Sequence, residues 1–274
     1  MFGFKRRRRE RLKRGPFAPV WQVIIGRNVP YWRLLSDDER REMRGHIQIL
    51  LHEKPFEGCG GLELTDEIRV TIAAQACLLL LNRETDYYPR LSSILVYPAR
   101  YVVEATRRLP DGTMVEGDEV RSGESWQRGA VVLSWDDARH GAVNMHDGQN
   151  VVLHEFAHQL DAESGAMEGA PLLANRAACD AWARVLGREY QRLVDDLKRG
   201  RPTFLRPYGA QSPAEFFAVA TESFFEQPLA FKRRHPELYG QLAAFYNQNP
   251  AARAAGGQGG NRTAGSSTLP LPPP

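Results

Sequence analysis

Apolar residues recur along this chain with two periods, and the switch between them organises it. Ser36-Asp37-Asp38-Glu39 sets a hydroxyl three residues ahead of a carboxylate, the capping-box spacing, and Met43, Ile47, Leu50 and Leu51 follow at helical intervals. This predicts a helix from about residue 37 to residue 53. Gly58-Cys59-Gly60-Gly61 breaks the pattern, after which Thr65, Asp66 and Glu67 open a second helix with Ile68, Ile72, Ala76, Leu79 and Leu80 on its apolar stripe. From Ile94 the period shortens. Residues 94–97, 101–103, 113–115 and 130–135 are β-rich runs separated by Pro98, by Pro110-Asp111-Gly112 and by Ser122-Gly123, and they read as a small mixed sheet.

Helical spacing returns in the second half. Val151, Val152, Leu153, Phe156, Ala157 and Leu160 make one short helix apolar; Asn175 caps a longer one running through Trp182, Leu186, Leu193 and Leu197 to Gly200. Residues 201–209 are irregular and bounded by proline. Ser212-Pro213-Ala214-Glu215 then opens a helix buried by Phe216, Phe217, Val219, Phe224 and Phe225 and closed by Pro228, and a last helix spans about residues 236–247. Beyond Pro250 the chain is rich in Ala, Gly, Ser and Pro without an apolar face, so residues 251–274 are expected to be a disordered tail. The pattern implies an α+β fold in one domain over residues 16–250.

Composition refines this picture in three places. The net charge is only +3, yet residues 5–14 hold eight basic side chains against Glu10, so that segment carries +7 and the rest of the chain −4. Without interleaved aromatics or a DNA-reading motif behind it, the run is expected to be a solvated, mobile terminus over residues 1–15 and argues against nucleic-acid binding. Cys59, Cys77 and Cys179 are far apart and odd in number, which suggests neither a cysteine zinc site nor a disulfide framework and suits a reducing cytoplasm. The longest apolar patch, residues 77–81, is far short of the roughly 20 residues a membrane span requires. No membrane insertion is expected.

The chemistry is concentrated in the short apolar helix. His154-Glu155-Phe156-Ala157-His158 places two imidazoles four residues apart, one above the other on a helix face, with Glu155 turned toward the side where a metal-bound water would lie. Catalytic zinc takes three protein ligands and leaves one position open. The third ligand must lie downstream, among Asp161, Glu163, Glu189, Glu215, Glu222 and His235. Asp161, three residues past His158, suits support of a ring nitrogen better than direct ligation. Glu215 and Glu222 share a helix face at a spacing of seven, although Ser212-x-x-Glu215 is also a capping box. The strand ending at Trp135, some fifteen residues before this helix, is placed as an edge able to pair with an extended peptide.

His154-Glu155-Phe156-Ala157-His158-Gln159-Leu160-Asp161, with Tyr208-Gly209-Ala210 and residues 212–225, resembles the Mlc titration factor A family of bacterial zinc peptidases, which is related to the catalytic domain of anthrax lethal factor. The likeness covers about residues 1–250. It implies a zincin-like fold around an H-E-x-x-H helix and a single Zn²⁺ held by His154, His158 and Glu215. It also implies Glu155 as catalytic base, Tyr208, seven residues before Glu215, as the transition-state helper, and Glu222 as support behind the ligands. The activity implied is hydrolysis of peptides, of aminopeptidase type, and the partner implied is a transcriptional repressor of the Mlc type controlling sugar uptake. A non-catalytic protein that sequesters the repressor is the alternative.

Overall fold

The computed structural model describes residues 2–108, 114–121, 123–125 and 129–259. In chain order the elements are α1 (Phe2–Arg14), α2 (Pro19–Asn28), a 3-10 turn (Pro30–Leu34), α3 (Asp37–Glu53), β1 (Phe56–Gly58), α4 (Asp66–Leu78), β2 (Ser93–Tyr97), β3 (Tyr101–Arg108), β4 (Met114–Arg121), β5 (Gly123–Ser125) and β6 (Ala130–Ser134). Then follow α5 (Trp135–Val143), α6 (Val151–Asp161), α7 (Arg176–Lys198), α8 (Pro213–Glu226), α9 (Pro228–Arg234), α10 (Pro236–Tyr246) and α11 (Pro250–Gly259). The fold is mixed and helix-rich, as the two periods imply.

Helix α3 starts where the capping box puts it: Ser36 Oγ accepts from Glu39 N while the Glu39 carboxylate accepts from Ser36 N at 2.9 Å, so two orphan donors of the first turn are satisfied at once. Helices α4, α6 and α8 are buried on nearly every face from Ile68, Val152 and Ala214 onward. An all-round apolar helix belongs in a core rather than on a surface, and these three form its centre, α4 and α8 each packing on α6.

The strands form two sheets rather than one. β1, β2 and β6 run parallel, with Ile94 opposite Val131 and Val96 opposite Leu133, and β5 adds antiparallel to β6. β3 and β4 pair separately as an antiparallel ribbon. The turn expected at Pro110-Asp111-Gly112 lies outside the described residues. The strand expected at the edge is interior: Val131, Val132 and Leu133 are all buried, as suits a strand flanked on both sides, and β5 is the edge. Trp135 does not end that strand but begins α5, because Ser134 Oγ caps Asp137 N.

Residues 2–14, expected as a mobile terminus, form a helix docked on α3. Arg9 Nε and Nη2 grip Glu53 at 2.9 and 2.7 Å, its guanidinium lies 4.5 Å over the Tyr87 ring, and Lys5 and Arg9 both reach Asp86. Gly45 on α3 permits the approach: a Cβ there would stand 3.0 Å from Lys13 Cγ. At the other end Pro250–Gly259 is helical, and Arg253 ties it to Glu39 and, at 3.0 Å, to Gln248. Residues 260–274 lie outside the described residues. A periodicity reading misses both because neither segment carries an apolar stripe; each is held by ion pairs whose partners are far away in sequence.

Arg9→Ala should therefore lower stability by about 1–3 kcal/mol, the range for a hydrogen-bonded charge removed from a half-buried pair. It should also open residues 5–14 to trypsin while the wild-type segment resists; equal digestion of both proteins would disprove the docking.

Candidate metal centre

The centre is built where α6 meets α8. Helix α6 starts at Asn150, whose side-chain oxygen accepts from Leu153 N at 3.0 Å and whose amide donates to Gln75 Oε1 and to Gly141 O. One residue thus caps α6 and ties its first turn to α4 and α5. His154 and His158 then project one turn apart with Glu155 beside His154, and the three are 7%, 5% and 5% exposed in the order His154, Glu155, His158.

Helix α8 supplies the carboxylates. Ser212 Oγ caps Glu215 N at 3.2 Å, but the Glu215 carboxylate does not return to the Ser212 backbone as Glu39 does to Ser36. It reaches across instead, 2.9 Å from His154 Nε2 and 3.4 Å from His158 Nε2. Glu222, two turns on, accepts from His154 Nδ1 at 2.8 Å and from Asn150 N at 2.6 Å. The tautomer follows: with Nδ1 committed to Glu222, His154 presents Nε2 to the centre.

His154, His158 and Glu215 offer ligand atoms that all lie within 4.8 Å of one another. Two imidazoles and one carboxylate are the donor set of a catalytic zinc site, and donors about 2.0–2.1 Å from zinc in a tetrahedron stand about 3.3 Å apart, close to the 2.9 and 3.4 Å seen here. The residues fit a divalent metal. Glu155 is not part of the set. Its Oε2 is buried without a hydrogen-bond partner among the described residues, as suits a base that exchanges protons with a bound molecule.

Charges in this small volume act strongly on one another. Burial opposes a charge on His154, but Glu222 and Glu215 outweigh it and raise the imidazole to about 10. Burial also works against the Glu215 carboxylate, yet the hydrogen bonds from His154 and His158 bring it down to about 2. A cation between these groups replaces the shared proton, so metal binding releases it. Burial raises Glu155 to about 7, with the two histidines pulling the other way.

Of the remaining candidates, Glu189 pairs with His235 at 2.8 Å away from the centre, and Glu163 is not in the cluster. Asp161, expected behind a ring nitrogen, makes no hydrogen bond to His158; His158 Nδ1 has no partner among the described residues, and Asp161 Oδ2 accepts from Gly169 N at 2.7 Å. Gly169 has φ +73° and lies so close to Pro213 that a Cβ would meet the Pro213 carbonyl at 2.3 Å. Asp161 therefore acts on the first turn of α8, which carries Glu215. Tyr208, on the Pro207–Ala210 turn, is 44% exposed with its ring 5.7 Å from that of His154.

Three participants escape a reading of the sequence. Asn150 has the signature of a cap before an apolar run and was findable. Arg206, which reaches Glu222, stands in an irregular stretch that gives no local signal. Glu226, one turn beyond Glu222, accepts from Gln149 N at 2.9 Å, and burial raises its carboxyl to about 9, so it is neutral at pH 7.

Comparison with known proteins agrees with this geometry. The family model described as glucose-regulated metallo-peptidase M90 matches residues 4–247. An uncharacterized protein of Synechocystis sp. is 43% identical over 245 residues, covering 89% of each chain. The Mlc titration factor A of Klebsiella pneumoniae is 33% identical over 236 residues, 85% of this chain and 87% of the relative, and that of Cronobacter sakazakii 31% over 240 residues, 86% and 89%.

Substituting His154, His158 or Glu215 by Ala should abolish stoichiometric metal in elemental analysis of the purified protein. Glu155→Gln should retain it. Retention by Glu215→Ala would remove Glu215 from the ligand set.

Proposed function

Because this chain belongs to the glucose-regulated metallo-peptidase M90 family, we propose that it is a zinc-dependent peptidase of zincin-like fold that removes residues from the amino ends of peptides in the cytoplasm. One observation carries the reading: His154, His158 and Glu215 converge beside Glu155, whose Oε2 is buried without a hydrogen-bond partner among the described residues. The three free cysteines suit a reducing compartment, and no helix among the described residues is long and apolar enough to cross a membrane.

His154, His158 and Glu215 would hold a zinc ion, which would supply Lewis acidity toward water and a peptide carbonyl. Glu155 takes a proton from the attacking water as its oxygen bonds to the carbonyl carbon. Negative charge develops on the carbonyl oxygen, and the Tyr208 hydroxyl, on the exposed side of the site, donates to it. When the C–N bond breaks, Glu155 returns its proton to the departing amine. A carboxyl with a pKa near neutrality serves both transfers.

The relatives' name supports a second reading: this chain binds a transcriptional repressor of the Mlc type. The two roles are separable. Glu155→Gln should lower kcat about 10²–10⁴-fold, the usual contribution of a general acid–base group, with zinc still bound. Tyr208→Phe should cost about 10²–10³-fold. Full, chelator-sensitive hydrolysis by Glu155→Gln would end the catalytic reading, and equal cleavage of free and N-acetylated peptides would end the aminopeptidase assignment. Repressor capture that survives in Glu155→Gln would make titration a binding function alone.

A further inference from the structure

We infer that Arg206 is a positioning residue for the metal centre, acting through Glu222 to hold His154 and the Tyr208 turn in one arrangement. This rests on the zinc-peptidase reading and adds to it a residue with no signature in the sequence.

The Arg206 guanidinium donates through Nη2 to Glu222 Oε1, the same oxygen that accepts from His154 Nδ1 at 2.8 Å. Its Nε is buried with no partner among the described residues, so Glu222 is the anchor of this side chain. From the other direction, the Glu222 side chain is 1% exposed, and its ion-pair partners among the described residues are His154 and Arg206. A carboxylate so deeply buried needs a cation and hydrogen bonds to stay where it is.

Arg206 also leads the turn that carries Tyr208. Its carbonyl accepts from Gly209 N at 3.0 Å, Pro207 locks the next φ, and Tyr190 Oη donates to Ala210 O at 3.2 Å. A turn braced in this way moves as a body. The contact that fixes the His154 ring therefore also fixes the position of Tyr208, whose ring lies 5.7 Å away. Arg206 touches no reacting atom; its effect passes through a carboxylate to a ligand and along two residues to a hydroxyl.

The test uses the full chain and two readouts, zinc affinity by chelator competition and hydrolysis of an unblocked peptide. Arg206→Gln should bind zinc about 10-fold more weakly, the lower end for losing a group behind a metal ligand, and should lower kcat with little change in KM. Arg206→Lys, which keeps the charge, should recover most of the affinity. In a Glu222→Gln background, Arg206→Gln should weaken zinc binding no further, because residues acting through one another are not additive. Wild-type zinc affinity in Arg206→Gln, or fully additive losses in the double variant, would overturn the inference. If Arg206→Gln fails to fold, Glu222→Gln takes its place, and wild-type zinc affinity in that variant would overturn the inference, because Arg206 acts on His154 only through Glu222. A wild-type chain that binds no zinc would overturn the peptidase reading itself, and the inference with it.

Discussion

A single carboxylate, Glu222, joins the two helices on which the site depends. It takes the first backbone N–H of α6 through Asn150, the Nδ1 proton of His154 and the guanidinium of Arg206. The apolar faces of α6 and α8 press together around it, with Phe156, Ala157, Phe217 and Ala218 wholly buried. Apolar packing is non-directional and sets how close two helices lie. A buried carboxylate with three directional partners also sets their rotation and stagger, since sliding either helix would leave a charge unpaired in the core. The convergence of Glu215 on both histidines is a consequence of that register.

The same economy of charge governs the periphery. Helix α3 holds the first and last described helices: Glu53 in its last turn receives Arg9 of α1, and Glu39 in its first turn receives Arg253 of α11. Burial alone works against the Glu53 carboxyl, but the Arg9 hydrogen bonds and charge hold it below the usual range, and Arg253 does the same for Glu39. Each pair forms only after the core has brought distant segments together.

Part of the candidate site was legible from local pattern because local geometry creates it. Four-residue spacing on a helix stacks His154 over His158 wherever that helix lies. The boundaries of α3, α4, α7 and α8 follow from caps at Ser36, Thr65, Asn175 and Ser212, each of which accepts from a backbone N–H of its own first turn. The interior place of β6 was not legible. An apolar run fits a buried strand without saying which neighbours bury it, and a register across β2 and β5 is a relation between segments. Helix α5 was hidden for a related reason, since Ser134 both ends a strand and caps a helix.

By itself, then, the sequence determined that two imidazoles and Glu155 share a helix turn, because that is a consequence of a 3.6-residue period. Family resemblance pointed to Glu215 among six downstream candidates. Tertiary structure decided why Glu215 is free to serve: its capping role is half abandoned, leaving the carboxylate to face the histidines. It likewise redirected Asp161 from His158 to Gly169 and brought Arg206 to Glu222. Hydrogen-bond partners far apart in the chain are chosen by packing, and no local spacing encodes them.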